Sequence, residues 1–143
     1  KYPKGHDAAL VPTIEALGLK NDVIFTGGAP DHELPWLLSG AIAKVFPSVH
    51  EGFGLAAIEA LACGTPLITG RSGAVGEVVG DGGIVLDDLS VESLAGAMSM
   101  LAQDKKLRED LRERGMSRAA QFRWDHSARK TLEIYREVIE DRS

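Results

Sequence analysis

The stretch AKVFPSVHEGFGLAAIEALACGTPLITG, residues 43–70, runs from one apolar segment through a glycine turn into a second, and out again. Ala43 to Pro47 is short, apolar and stopped by a proline, which suits a strand buried in a parallel sheet. Leu55 to Cys63 reads as a helix, with Gly64 at its C′ position and Pro66 two residues on. Pro66 to Gly70 is a further strand. Strand, helix and strand in so short a span form the repeating unit of a parallel α/β sheet.

Working outward, Gly83 to Leu86 makes a last short strand. Three helices follow it, over Val91 to Ala102 with Leu94, Met98 and Leu101 on one stripe, over Asp104 to Phe122, and over Asp125 to about Glu140. Toward the N-terminus, Asp31 N-caps a helix over Asp31 to Leu38 whose start Pro35 shifts later. Asp22 to Thr26 is a short strand closed by Gly27-Gly28. Asp7 to Leu17 is a helix that tolerates Pro12 only in its first turn. The alternation predicts an α/β fold built on a Rossmann-like, doubly wound parallel sheet.

The chain has 143 residues, 44% hydrophobic, with a net charge of -5. That balance suits one α/β domain and excludes the basic footprint of a nucleic-acid binder. Eleven of the sixteen Lys and Arg fall in Lys105 to Ser143, mixed with acids at helical spacing, as on a solvated helical face. A single cysteine, Cys63, excludes an intrachain disulfide and makes cytoplasm the default compartment. No apolar run approaches the roughly 18 residues of a spanning helix. The start at Lys1, without Met, reads like a piece of something longer.

Glu51 and Glu59 lie eight positions apart around the Gly52-Phe53-Gly54 turn. In an open parallel sheet, ligands bind beyond the carboxyl ends of the strands, and residues 45–59 form such a passage. Gly52 and Gly54 allow close backbone approach and positive φ, and the first turn of the next helix offers free N–H groups to an anion. Glu59 lies about 6 Å further along that helix. Carboxylates repel phosphate and accept from hydroxyls, so the pattern suits a ligand polyhydroxylated on both sides of a diphosphate, as a nucleotide sugar is. The alternative is that Glu51 caps the helix and Glu59 lies on a solvated face.

Val45-Phe46-Pro47-Ser48, Glu51-Gly52-Phe53-Gly54-Leu55, Glu59-Ala60-Leu61-Ala62-Cys63-Gly64-Thr65-Pro66 and Gly76-Glu77-Val78-Val79-Gly80-Asp81-Gly82-Gly83 together resemble the C-terminal domain of family 4 glycosyltransferases, glycosyl transferases group 1, of the GT-B fold. The resemblance runs from about Gly18 to Phe122. It implies that residues 1–143 are a single, partial nucleotide-sugar-binding domain, the N-terminal acceptor domain being absent and the chain inactive alone. The implied reaction is transfer of a sugar from a nucleotide-sugar donor with retention of configuration. By this resemblance Glu51 is the catalytic residue, touching donor-sugar hydroxyls near the reacting carbon. The amides of Gly52, Phe53, Gly54 and Leu55 hold sugar and diphosphate, Glu59 takes the ribose hydroxyls, and the base lies near Gly27. No cofactor and no metal is implied, the nucleoside diphosphate sugar being the substrate. A non-catalytic nucleotide or sugar-phosphate binding module is the rival, and a metal-dependent phospho-acceptor signalling domain a third.

Two departures stand out. The family supplies an Arg and a Lys for the diphosphate from an earlier strand-helix unit; Lys4-Gly5-His6-Asp7 imitates that motif too close to Val23, and reads instead as the loop before the first helix. After Thr69, Ser72-Gly73-Ala74-Val75-Gly76-Glu77 lacks one glycine and the proline usual there.

Arg71 either reaches an anion at the sheet edge or is a solvated loop residue, and His50 either touches the donor or is structural. Glu77 starts a helix or fixes the loop, with donor contact second. Asp87-Asp88 shapes the turn before Val91, Cys63 is a packed small hydrophobe, and Trp36 and Trp124 read as packing residues. His6, His32, His50 and His126 make no ligand-spaced set. The stripe Ala128-Leu132-Tyr135-Ile139 belongs to a helix that in the family crosses to the N-terminal domain. Here it is expected to fold against this domain or mediate self-association. The parent protein is expected in the cytoplasm, with peripheral association at the inner membrane face an option.

Overall fold

Pro12 stands in the first turn of α1 (Val11–Ala16), where its missing N–H removes no helical bond. The computed structural model describes residues 9–141; Lys4, His6 and Asp7, and the first residues of the helix predicted from Asp7, lie outside that range. The chain divides into two units, Lys1–Leu34 and Pro35–Ser143. In the first, α1 closes as a Schellman motif: Leu19 N–H donates to Ile14 O at 2.9 Å and Gly18 N–H to Glu15 O at 3.0 Å.

The strand predicted over Asp22 to Thr26 is not there. Asp22 and Val23 donate to Leu19 O in a turn, the following residues join no ladder, and Ile24 is 82% exposed. A strand exists only by pairing, and β propensity registers fit to a half-buried pleated surface rather than a preference of the isolated backbone. The described part of this unit holds no other strand to pair with.

The helix predicted from an Asp31 cap begins later, as Pro35 requires: α2 is Leu34–Gly40, with turns over residues 31–33. The sheet is parallel with order β1 (Lys44–Phe46), β2 (Leu67–Gly70), β3 (Ile84–Leu86), in the register Val45 to Ile68 and Thr69 to Val85. Between β1 and β2 lies α3 (Leu55–Ala62), and between β2 and β3 lie α4 (Val75–Val79) and a 3-10 turn, Gly80–Gly82. Three helices follow, α5 (Val91–Gln103), α6 (Lys105–Ala119) and α7 (Trp124–Glu140). The predicted boundaries of these three hold to within a few residues; α4, too short for a periodic pattern, was anticipated only by the reading of Glu77 as a helix-start residue, and Glu77 lies in its first turn.

Every residue of β2 is buried, as a strand covered on both faces must be. Alternation sends Ile68 one way, to Ala97 and Leu101 of α5 and Leu111 of α6. Leu67 points the other way, toward a spot where a side chain on Gly83 would meet both Leu67 and Val79 of α4. Helices on both faces are what the doubly wound prediction requires. Full burial of Leu61, Leu67, Ile68 and Leu101 contributes about 2 kcal/mol each. Thr69, buried among them, donates its hydroxyl to Phe46 O at 2.9 Å, and Thr65 donates to Leu38 O at 2.7 Å.

Helix ends are explicitly satisfied. Asp104 caps α6 by accepting from Leu107 N–H at 2.9 Å, and Arg108 donates to the Leu101 and Ala102 carbonyls that end α5. α3 ends in a second Schellman motif, with Thr65 N–H to Ala60 O at 2.9 Å and Gly64 at φ +69°. Asp88 accepts from the Ser90 amide and hydroxyl, which shapes the turn before α5 as expected and holds its carboxyl below the usual range.

α7 corrects one expectation. None of its residues is buried, and Leu132, Tyr135 and Ile139 are 48, 62 and 67% exposed, so the stripe does not fold into the core. Amphipathic spacing reports that a helix has an apolar side, not which surface covers it. Trp36 and Trp124 are likewise exposed rather than packed. Among the described residues no helix is long and apolar enough to cross a membrane.

Candidate functional site

The carboxyl ends of all three strands border one cavity of about 480 Å³. Residues 48–51 line it after β1, residues 71–73 after β2, and Leu86, Asp87 and Leu89 from β3 onward. This is the pole where strands of an open parallel sheet hand over to loops, and where such sheets bind ligands.

Glu51 is half-buried at its edge. The backbone beneath it is held by Gly73, which takes φ +52° and packs so closely that a Cβ there would lie 2.0 Å from Glu51 O. The loops after β1 and β2 therefore touch main chain to main chain, and only glycine permits it. Arg71 donates Nε–H to Asp87 Oδ1 at 2.7 Å, linking the loops after β2 and β3 across the cavity. His50 is exposed beside Glu51, with Nδ1 3.0 Å from Val49 O.

From Glu51 the chain turns through Gly52 and Phe53 into α3. Gly54 is the N-cap residue, at φ +88°, and no side chain caps the helix. The alternative in which Glu51 caps α3 is thereby excluded. Gly54 is buried against Val75 of α4, where a Cβ would lie 2.7 Å from Val75 Cγ2. Gly52, expected to take positive φ as well, does not, and a Cβ there would meet nothing within 4 Å. Leu55 opens the helix on an exposed position, so its uncapped positive end faces outward.

Glu59 is exposed one turn further along α3 and does not line the cavity. Beneath that helix, Lys44 Nζ donates to Ala56 O at 2.6 Å. Burial pushes the Lys44 ammonium below the usual lysine range, opposed by the nearby Glu59 carboxylate and by Cys63. A lysine inside an otherwise apolar strand was a signal that sequence reasoning passed over. Gly27, in the first unit, has φ +68°.

Of the run Glu51 to Leu55, only Glu51 lines the cavity; Gly52, Phe53 and Leu55 are exposed, Gly54 is buried, and Glu59 lies on the helix that follows. Residues 5–118 match the family described as glycosyl transferases group 1. The chain belongs to that family. Among its curated relatives, the O-antigen chain mannosyltransferase B of Escherichia coli is 37% identical over 135 residues, covering 94% of this chain and 35% of that protein. The chain spans about a third of the length of the curated relatives it matches.

Among solved structures, the C-terminal domain of a glycosyl transferase group 1 family protein from Francisella tularensis aligns with a TM-score of 0.71 at 29% identity, over 79% of this chain and 60% of that one. Anabaena HepE, solved in complex with UDP, aligns with a TM-score of 0.83 at 25% identity, over 90% of this chain and 36% of that one. The three-stranded parallel sheet is that of the C-terminal domain of GT-B group 1 glycosyltransferases.

Proposed function

We propose that this chain is the donor-binding part of a retaining glycosyltransferase, and that its surface from Glu51 to Leu55 takes the sugar and diphosphate of a nucleoside diphosphate sugar. The observation that carries this is the cavity at the strand ends with Glu51 in its lining, four residues before α3, whose N-terminus carries no side-chain cap. Sugar hydroxyls donate to the Glu51 carboxylate. The diphosphate meets the amides of Gly52, Phe53, Gly54 and Leu55, and ribose hydroxyls donate to Glu59.

In the reaction the bond from the anomeric carbon to the diphosphate oxygen breaks, and a bond to the acceptor hydroxyl oxygen forms on the same face. The leaving diphosphate takes the acceptor's proton. Positive charge builds on the anomeric carbon as the leaving group departs. A fixed carboxylate beside that carbon stabilises the charge and orients the sugar, and needs no covalent step.

A helix N-terminus contributes only about 1 kcal/mol toward an anion. Of the cations nearby, Lys44 is committed to Ala56 O and Arg71 to Asp87. Relatives support a sugar donor: the Escherichia coli relative is a mannosyltransferase, and Anabaena HepE was solved with UDP. UDP, GDP and ADP with their hexose conjugates, titrated calorimetrically against the chain, test the reading when repeated on Glu59→Ala. Loss of a charged acceptor from ribose weakens the accepted nucleotide about tenfold. Equal affinity in both proteins would remove Glu59 from the site.

A further inference from the structure

Phe53 stands in the middle of the Gly-Phe-Gly turn, half exposed, and its ring packs on that of Phe122. The centroids are 5.9 Å apart and the planes 79° apart, the T-shaped arrangement that aromatic quadrupoles favour. Phe122 lies just past the end of α6, fixed by its own N–H bond to Ala119 O at 3.0 Å. The Arg118 guanidinium covers its ring, 5.0 Å from the centroid.

The same guanidinium has three further partners. Nε donates to Val78 O at 2.9 Å and Nη2 to Glu77 O at 2.8 Å, while Nη1 donates to Gln121 Oε1 at 2.6 Å. Arg118 thereby closes two carbonyls at the end of α4. α4 in turn presses Val75 against Gly54, the residue that starts α3. One side of the turn is braced at Phe53 through Phe122, the other at Gly54 through α4, and Arg118 joins the two.

We propose that Arg118 and Phe122 are positioning residues for the donor-binding turn, fixing Phe53 and Gly54 and through them the placement of Glu51 and the mouth of α3. The braced turn is a property of the structure itself; its consequence for donor affinity rests on the function proposed above. The device depends on guanidinium geometry, since a planar fork bonds two carbonyls while its face lies on a ring, which an ammonium does not do.

The test is amide hydrogen exchange on the chain, read by NMR beside UDP affinity, for Phe122→Leu, Phe122→Tyr and Arg118→Lys. The reporters are the Ala57 and Ile58 amides, which donate to Gly54 O at 2.9 and 3.3 Å. Phe122→Leu keeps apolar bulk and loses the ring, so these amides exchange about fivefold faster and UDP binds about fivefold more weakly, while Ile68 in the core is unchanged. Phe122→Tyr restores both, and Arg118→Lys behaves as Phe122→Leu. Unchanged exchange at Ala57 and Ile58, or an equal loss of protection at Ile68, overturns the assignment. If the unmutated chain binds no UDP while the exchange pattern holds, the brace stands and the proposed function fails.

Discussion

Gly73→Ala costs the fold about 3 kcal/mol and disorders the loop that carries Glu51. Two effects add. The residue holds φ +52°, a conformation that alone costs an L side chain about 1–2 kcal/mol. The new Cβ would lie 2.0 Å from the Glu51 carbonyl oxygen, so the obstacle is main chain and one loop must move. Gly52→Ala is the control: two residues from Gly54 in the same turn, it has ordinary φ and open space, and its stability is unchanged within about 0.5 kcal/mol. Urea melts of the three proteins check this. Equal midpoints for Gly73→Ala and the unmutated chain would mean that the loops after β1 and β2 do not rest on one another.

Glu51→Gln lowers kcat about 100-fold in a longer protein that joins this chain to an acceptor-binding domain, while nucleotide affinity changes by no more than about threefold. The amide keeps the shape and loses the charge. Charge matters where the anomeric carbon becomes positive and little where the ground-state sugar only needs acceptors for its hydroxyls. Pre-steady-state turnover beside nucleotide titration separates the two effects. Unchanged kcat and affinity would make Glu51 a bystander, loss of affinity alone would make it a residue that only binds the donor, and no turnover in the unmutated protein would favour a binding module.

Residues 43–70 were legible because what positions them is local. A proline stop after an apolar strand, a glycine turn, and a helix closed by Gly64 and Pro66 are all neighbours in sequence, and the structure keeps each of them. Asp22 to Thr26 has equal β propensity and makes no strand, since pairing is not a local property. The apolar stripe of α7 was expected to fold against this domain or to mediate self-association; it is a stripe, and the first of these does not hold. Spacing and the sheet's topology put Glu51 after a strand's carboxyl end, where the cavity lies, while the roles of Glu51 and the turn came from the family resemblance. Gly73 beneath Glu51, the Arg71 link to Asp87, and the run from Arg118 through Phe122 to Phe53 join residues with no periodic relation. Only the packed chain brings them together.

The most direct measurement is a map of backbone amide shifts on the chain as UDP is added to saturation. The proposed site predicts the largest shifts from Glu51 through Glu59 and at residues 71–73, with little change at the opposite pole, where Lys105, Arg108 and Arg112 line a smaller cavity. Shifts centred on that basic cavity, or none between Glu51 and Glu59, would contradict a donor site at the carboxyl ends of the strands.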